Sequence, residues 1–207
     1  MNENKVILHL CADIGSDTMP YRDAGYNVIC IGKDIGVENY HPPLDVYGVI
    51  ANPVCTEFSV VNKGFHQHGD YDKGMFLVNH CKRIIRECNP KFWVIENPAT
   101  GRLKQFLGKP QYEYEPWWFG SPWTKRTALW GKFNIPQRIY NNWRDIPKND
   151  NLYIRPSRQK PSMAQFHKSA IEHIPEFARF KDLVKDDMSF RSLCSQNFAK
   201  AFFEVNK

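Results

Sequence analysis

A thiol and a carboxyl stand at the ends of two strand-like runs. In "VYGVIANPVCTEFS", Val46 to Ser59, an apolar run suited to a buried strand leads into Asn52, Pro53 and Val54, and then Cys55. In "VIENPATG" the acid Glu96 closes another apolar run and is followed by Asn97 and Pro98. A thiolate is a strong nucleophile, and a carboxyl close by can supply or take the proton that a covalent addition requires. The pair points to covalent chemistry assisted by an acid. For an isolated cysteine after a strand the plainer reading is a small buried hydrophobe. A carboxyl at a neighbouring strand end shifts that balance.

Two earlier strand ends carry groups of a different kind. "KVILHL" runs into Cys11, Ala12, Asp13, Ile14, Gly15, Ser16 and Asp17, a turn with one glycine that lets a ligand approach the backbone and an acid that can take an amine or hydroxyl. The triple-glycine dinucleotide pattern is absent. "YNVICIG" leads to Asp34. An acid at the end of the second strand is where open α/β sheets hold ribose hydroxyls, and a surface aspartate opening a turn is the equally open alternative. Together these ends outline a nucleoside pocket beside the thiol.

The elements that must position these groups alternate through the first half of the chain. "KVILHL", an amphipathic stretch around "TMPYRDAG", and "YNVICIG" read as strand, helix, strand. The pattern recurs with "VYGVIA", a helix from about Asp72 to Glu87 with apolar positions at Met75, Phe76, Val78, Ile84 and Ile85, and "KFWVIENP". Crossover helices between apolar strands predict a mainly parallel sheet covered on both faces, with ligands at the carboxyl ends of its strands. Beyond Gly101, "QYEYEPWW" alternates like an exposed strand, and "KRTALWGKFNI" reads as a strand pair with a turn. The stretch from about 134 to 187 is irregular and charged, with at most a helix near Ala170 to Val184. "QNFAKAFFEVN" closes the chain as a helix with Phe198, Ala201, Phe202 and Val205 on one face.

With 207 residues the chain has the length of one domain with a full core, and we expect a single unit over 1–207 with a small loop-rich appendage inside it. No run reaches the roughly 18 apolar residues of a membrane span, and the start does not read as a signal peptide. A cytoplasmic protein is the expectation. The six cysteines are scattered without tight spacing, which suits reduced thiols. His66, His68, His80 and Cys81 form no CxxC pair or HExxH helix, so no metal site is expected. The net charge of +6 suits a polyanionic partner, most of all where basic residues stand among aromatics, as in "WWFGSPWTKRTALWGKF". The bland reading of that stretch is a solvated basic face over core aromatics.

The order of "LCADIGSDTMPYRDAGY", Asp34, "ANPVCTEFS", "VIENP" and "FGSPWTKRTALWG", closed by "FAKAFFEVN", resembles the DNA (cytosine-5) methyltransferases in a compact, phage-type form. The resemblance spans most of the chain. It implies a Rossmann-like methyltransferase fold, S-adenosylmethionine as cofactor, and DNA as partner through a flipped or single-stranded cytosine. It implies Cys55 as nucleophile and Glu96 as the acid, with Lys125 and Arg126 on the family's basic cluster that holds the target base and catalytic loop. It places Asp13, Ile14 and Gly15 on the cofactor turn, Asp34 on the ribose-binding acid, and Asn52 and Pro53 beside the cofactor. The chain departs from the family at Val54, where a second proline is usual, at Asp13, where a glycine is usual, and in the basic cluster, which reads Thr-Lys-Arg-Thr. There is little room between Asp34 and Cys55 for the family's third strand, with Asp45 as a remnant of its acid. The segment replacing the family's target-recognition domain is short. Two other readings stay open. Asn52-Pro53-Val54-Cys55 also resembles the Asn-Pro-Pro-Tyr loop of amino-group methyltransferases, which need no thiol, and a degenerate fold kept for nucleic-acid binding would need no cofactor.

Overall fold

The computed structural model describes residues 2–12, 14–59 and 69–207. Asp13 of the first turn, and His66 and His68, lie outside the described residues. Six strands form one sheet: β1 (Val6–Leu10), β2 (Asn27–Ile31), β3 (Val46–Ala51), β4 (Phe92–Pro98), β5 (Tyr112–Tyr114) and β6 (Thr127–Lys132). Their order is β2-β1-β3-β4-β6-β5. The β1–β2, β1–β3 and β3–β4 ladders are parallel, while β6 runs antiparallel to both β4 and β5. This is the mainly parallel α/β sheet expected from the alternation of strands and helices. Between Asp34 and β3 the chain forms no strand, so β2 stays at the edge.

Side chains along a strand alternate between faces, and each face has its own apolar partner. Leu8, Val49, Ile95 and Trp130 pack with Val78, Cys81 and Ile84 of α2 (Tyr71–Cys88). Ile7, Ile50, Val94 and Leu129 pack on the other face with Tyr21 of α1 (Met19–Asp23) and with Phe198 and Phe202 of α5 (Gln196–Asn206). A β-carbon on Gly48 of β3 would collide with the ring of Phe92, so that ring can lie across β3 only because the position is glycine.

α2 begins where Asp70 accepts the Lys73 amide at 3.0 Å and ends at Asn89, which takes the left-handed conformation with φ 44°. Its buried stripe is Gly74, Val78, Cys81, Ile84, Ile85 and Cys88. Phe76, expected on that stripe, instead faces solvent, edge-on to His80. The helical period puts it nearly opposite Val78, and a run of apolar letters does not reveal this by itself. Val205 of α5 is likewise exposed, and Asn206 takes the buried place beside it.

The segment after Gly101 opens with the one-turn helix α3 (Lys104–Leu107) and differs from expectation in two respects. "KRTALWGKFNI" contains one strand, β6, rather than a pair with a turn: Gly131 stays in the ladder opposite Val94. In 134–187, the expected helix is a pair of 3-10 turns, Lys168–His173 and Pro175–Phe180, separated at Ile174. Proline at 175 lacks the amide that a continuous helix would need there. Irregular as it is, this segment carries an apolar cluster of its own. Phe166, Ile174, Phe177 and Phe180 pack with Trp123 and with Phe190 of the short α4 (Asp187–Ser192). No described helix is long and apolar enough to cross a membrane.

Phe177 is fully buried against Trp123, Phe180 and Phe190. Phe177→Ala should therefore cost about 3–5 kcal/mol in urea unfolding. Phe76→Ala, on the solvent side of α2, should stay within about 0.5 kcal/mol. Equal effects would contradict this phase of the helix.

Candidate functional site

The site lies at the carboxyl edge of the central strands and follows from their alternation. Ile7 and His9 of β1 share a face, as do Val94 and Glu96 of β4, and Ile50 of β3 with Asn52 just beyond it. The apolar members of these pairs feed the core under α1 and α5, so the polar members meet one step further on, at the rim of the same face. There the Asn52 carboxamide joins them. Its Oδ1 lies 2.8 Å from His9 Nε2, and its Nδ2 donates to Glu96 Oε2 at 3.2 Å and to Asp17 Oδ1 at 3.3 Å. His9 Nδ1 lies 3.1 Å from Thr18 Oγ1, whose hydroxyl donates to the Gly15 carbonyl at 3.1 Å. Thr18 therefore accepts from His9, and the Asn52 oxygen accepts from the other ring nitrogen. That pairing calls for a proton on each ring nitrogen of His9.

The titration behaviour agrees. Burial works against a charge on His9, but hydrogen bonding to Cys30 and the charge of Asp17 outweigh it and raise its pKa. Cys30, opposite His9 in the β1–β2 ladder, receives a bond from Arg22 Nη2 at 3.0 Å. Burial works to raise that thiol, yet the bonds from His9 and Arg22 win and lower it. Glu96 is pushed up, chiefly by burial and further by the nearby charge of Asp17, with Lys125 and the Asn52 bond opposing. A buried carboxyl with this environment holds its proton to higher pH than usual.

Cys55 sits on the loop that follows β3, and two anchors fix that loop. Asn97, buried on β4, donates from Nδ2 to the Pro53 carbonyl at 2.9 Å. Phe58, fully buried, closes the 3-10 turn Thr56–Phe58 with its amide on the Cys55 carbonyl at 3.0 Å. Cys55 is exposed as a residue, but its thiol stands in a crowded rim where loss of solvation raises its pKa, Glu96 raises it further, and Lys125 opposes both. Lys125 is held by its ammonium group, which donates to the carbonyls of Leu193 at 2.9 Å and Ser192 at 3.2 Å, just past α4.

The structure thus brings Cys55, Glu96 and Lys125 together, with Asn52 and Pro53 in the loop between them. Arg126 turns away: its guanidinium pairs with Glu113 at 2.7 Å and its side chain is 62% exposed, in a neighbouring groove. In the turn after β1, Gly15 is buried and left-handed at φ 78°, and a β-carbon there would press on Cys30 Sγ at 3.3 Å. Ile14 packs against the cluster that holds Phe177. Asp34 stands exposed beyond β2 with no hydrogen-bond or ion-pair partner among the described residues, free to accept a pair of hydroxyls. His9 and Asp17 were not singled out by sequence reasoning as site groups. A histidine inside the apolar run "KVILHL" was the available signal, since a buried polar side chain needs partners.

The chain is 30% identical over 129 residues to "Probable DNA (cytosine-5)-methyltransferase" of Frog virus 3 (isolate Goorha), covering 55% of this chain and 58% of that protein. It spans less than two thirds of that relative's length. The crystal structure of a candidate DNA modification methyltransferase encoded within an E. coli prophage is similar at TM-score 0.41 and 15% identity, over 81% of this chain and 54% of the other. No known protein-family model matches the chain.

The charges around Glu96 have two measurable consequences. Its folded pKa is raised, so the stability it contributes is present below the ordinary carboxyl pKa of about 4.3 and is lost as pH rises through the folded value. Glu96→Gln should raise the melting temperature relative to wild type at pH 8, with the difference closing by about pH 4. A difference that is constant with pH would contradict the assignment. Removing the negative charge should also lower the Cys55 pKa, whereas Lys125→Gln should raise it. Iodoacetamide labelling of Cys55 at pH 7.5, followed by peptide mass spectrometry, should be roughly three- to tenfold faster in the first variant and slower by a similar factor in the second.

Proposed function

We propose that this protein transfers a methyl group from S-adenosylmethionine to carbon 5 of cytosine in DNA through a covalent adduct at Cys55. The observation that carries the reading is the grouping of an exposed nucleophile, a buried carboxyl with a raised pKa, and an anchored ammonium group at one strand edge. The Frog virus 3 relative supports the choice of reaction.

Carbon 5 of cytosine is a poor nucleophile until a thiolate adds at carbon 6. Cys55 makes that bond, and electron density moves onto N3 and carbon 5. Glu96, whose half-buried setting favours the protonated carboxyl, gives N3 the hydrogen bond or proton that the added density calls for. Lys125 favours the thiolate over the thiol and stabilises the anionic side of the addition. Asn52 fixes the Glu96 carboxyl, and the imidazolium of His9 fixes Asn52, so the acid is oriented before the base arrives. Asp34 would hold the ribose of the cofactor, and the Ile14–Gly15 turn would pass beside it. S-adenosylmethionine supplies the methyl group on a sulfonium centre, which carbon 5 of the activated ring takes. Loss of the carbon 5 proton then lets Cys55 leave. The target base is unreachable inside a duplex, so it is flipped out or unpaired.

An oligonucleotide carrying 5-fluorocytosine tests this directly, because fluorine does not leave as a cation and the adduct persists after methyl transfer. Wild-type protein with S-adenosylmethionine should give a denaturation-resistant protein–DNA band. Cys55→Ser should abolish it and Cys11→Ser should retain it. Methylation of DNA by Cys55→Ser would overturn the carbon 5 reading in favour of amino-group transfer.

A further inference from the structure

The groove beside Arg126 plays no part in the chemistry above, and it is built unlike an ordinary charged surface. It encloses about 430 Å³, within the roughly 300–1,000 Å³ of small-ligand sites. Two indoles, Trp117 and Trp118, line it among charged side chains. Trp117 stands edge-on to Trp118, with centroids 6.1 Å apart, and edge-on to Trp143 at 6.2 Å. Cations are laid on these rings: Arg138 is 3.1 Å over Trp118, and Lys160 lies 4.7 Å from Trp117 and 5.2 Å from Trp143. Neither Arg138 nor Lys160 has an ion-pair partner among the described residues. Acids sit among them, Glu113 tied to Arg126 and Glu115 accepting the Lys125 amide at 3.0 Å.

These groups match the parts of one nucleotide. Indole surface suits the face of a base, a carboxylate suits the amino edge of cytosine or adenine, and cations at the rim suit phosphate. A duplex offers none of its base faces, because they are stacked on one another. The groove is joined to the thiol site through one segment: Lys125 bonds Glu115 with its amide, and its side chain runs back toward Leu193, Cys55 and Glu96.

We infer that this groove binds one unpaired nucleotide of a single-stranded DNA segment, Lys160 and Arg138 moving off the rings onto the phosphates and the base taking their place against Trp117 and Trp118. The inference rests on the DNA reading proposed above and adds the form of the DNA: an unpaired strand beside the target base.

Fluorescence anisotropy with a labelled oligodeoxyadenylate of about eight nucleotides, without cofactor, isolates the groove from methyl transfer because the probe contains no cytosine. The wild-type protein should bind it with a steep salt dependence and bind an adenine–thymine hairpin duplex of equal length at least tenfold more weakly. Trp117→Ala and Lys160→Gln should each weaken single-strand binding roughly five- to a hundredfold, and Trp117→Phe should restore most of it. Circular dichroism of each variant checks folding, and Lys160→Gln serves as the test should Trp117→Ala misfold. Equal or tighter duplex binding, or wild-type affinity in folded Lys160→Gln, overturns the inference. The outcome is separable from that of the fluorocytosine trap: a lost adduct with intact single-strand binding removes only the methyl-transfer reading. A normal adduct with unselective binding removes only the groove.

Discussion

One carboxamide ties the polar ends of three strands together. Asn52 takes a hydrogen from His9 on β1, gives hydrogens to Glu96 on β4 and to Asp17 after the first turn, and is itself placed by the end of β3. A carboxyl as enclosed as Glu96 would be costly without such a partner. The amide also has no freedom to turn: with His9 holding its oxygen, its nitrogen must face the carboxylates. Orientation therefore passes from Thr18 through His9 and Asn52 to Glu96.

The thiol is positioned by different means. Its loop hangs on a bond from Asn97 and on the buried ring of Phe58. Glu96 and Lys125 then oppose each other on its pKa, the carboxyl raising it and the ammonium lowering it. Such an arrangement keeps the free protein's thiol largely protonated and lets loss of the Glu96 charge activate it.

Lys125 links this balance to the irregular part of the chain. Its ammonium depends on the carbonyls of Ser192 and Leu193, and Leu193 and Phe190 belong to the apolar cluster of Trp123, Phe166 and Phe177. The segment with the least regular backbone thus holds the cation that faces the thiol. Its aromatic core compensates for the missing long helices, since burial needs contact between apolar side chains and no particular backbone repeat.

Much was decided locally and was legible in order along the chain. The apolar runs of β1 to β4 and the helical period of α2 and α5 fix the alternation, and short turns fix which residues follow each strand end. This is why Cys55, Glu96 and Asp34 stand out in the sequence itself. Contacts between distant segments were not legible. Phe76 and Val205 show that apolar letters do not declare their face, and "KRTALWGKFNI" kept Gly131 inside a strand because Val94 was available as its ladder partner. Lys125 and Arg126 are adjacent in sequence, but successive side chains in extended backbone point to opposite sides; one meets the carbonyls beyond α4 and the other meets Glu113. His9, Asp17, Asn52 and Glu96 span nearly half the sequence and become one hydrogen-bonded group only when parallel pairing sets β1, β3 and β4 side by side. The sequence determined which groups stand at the strand ends, and the packing of the sheet decided which of them meet, because that depends on register and strand order rather than on neighbours in the chain.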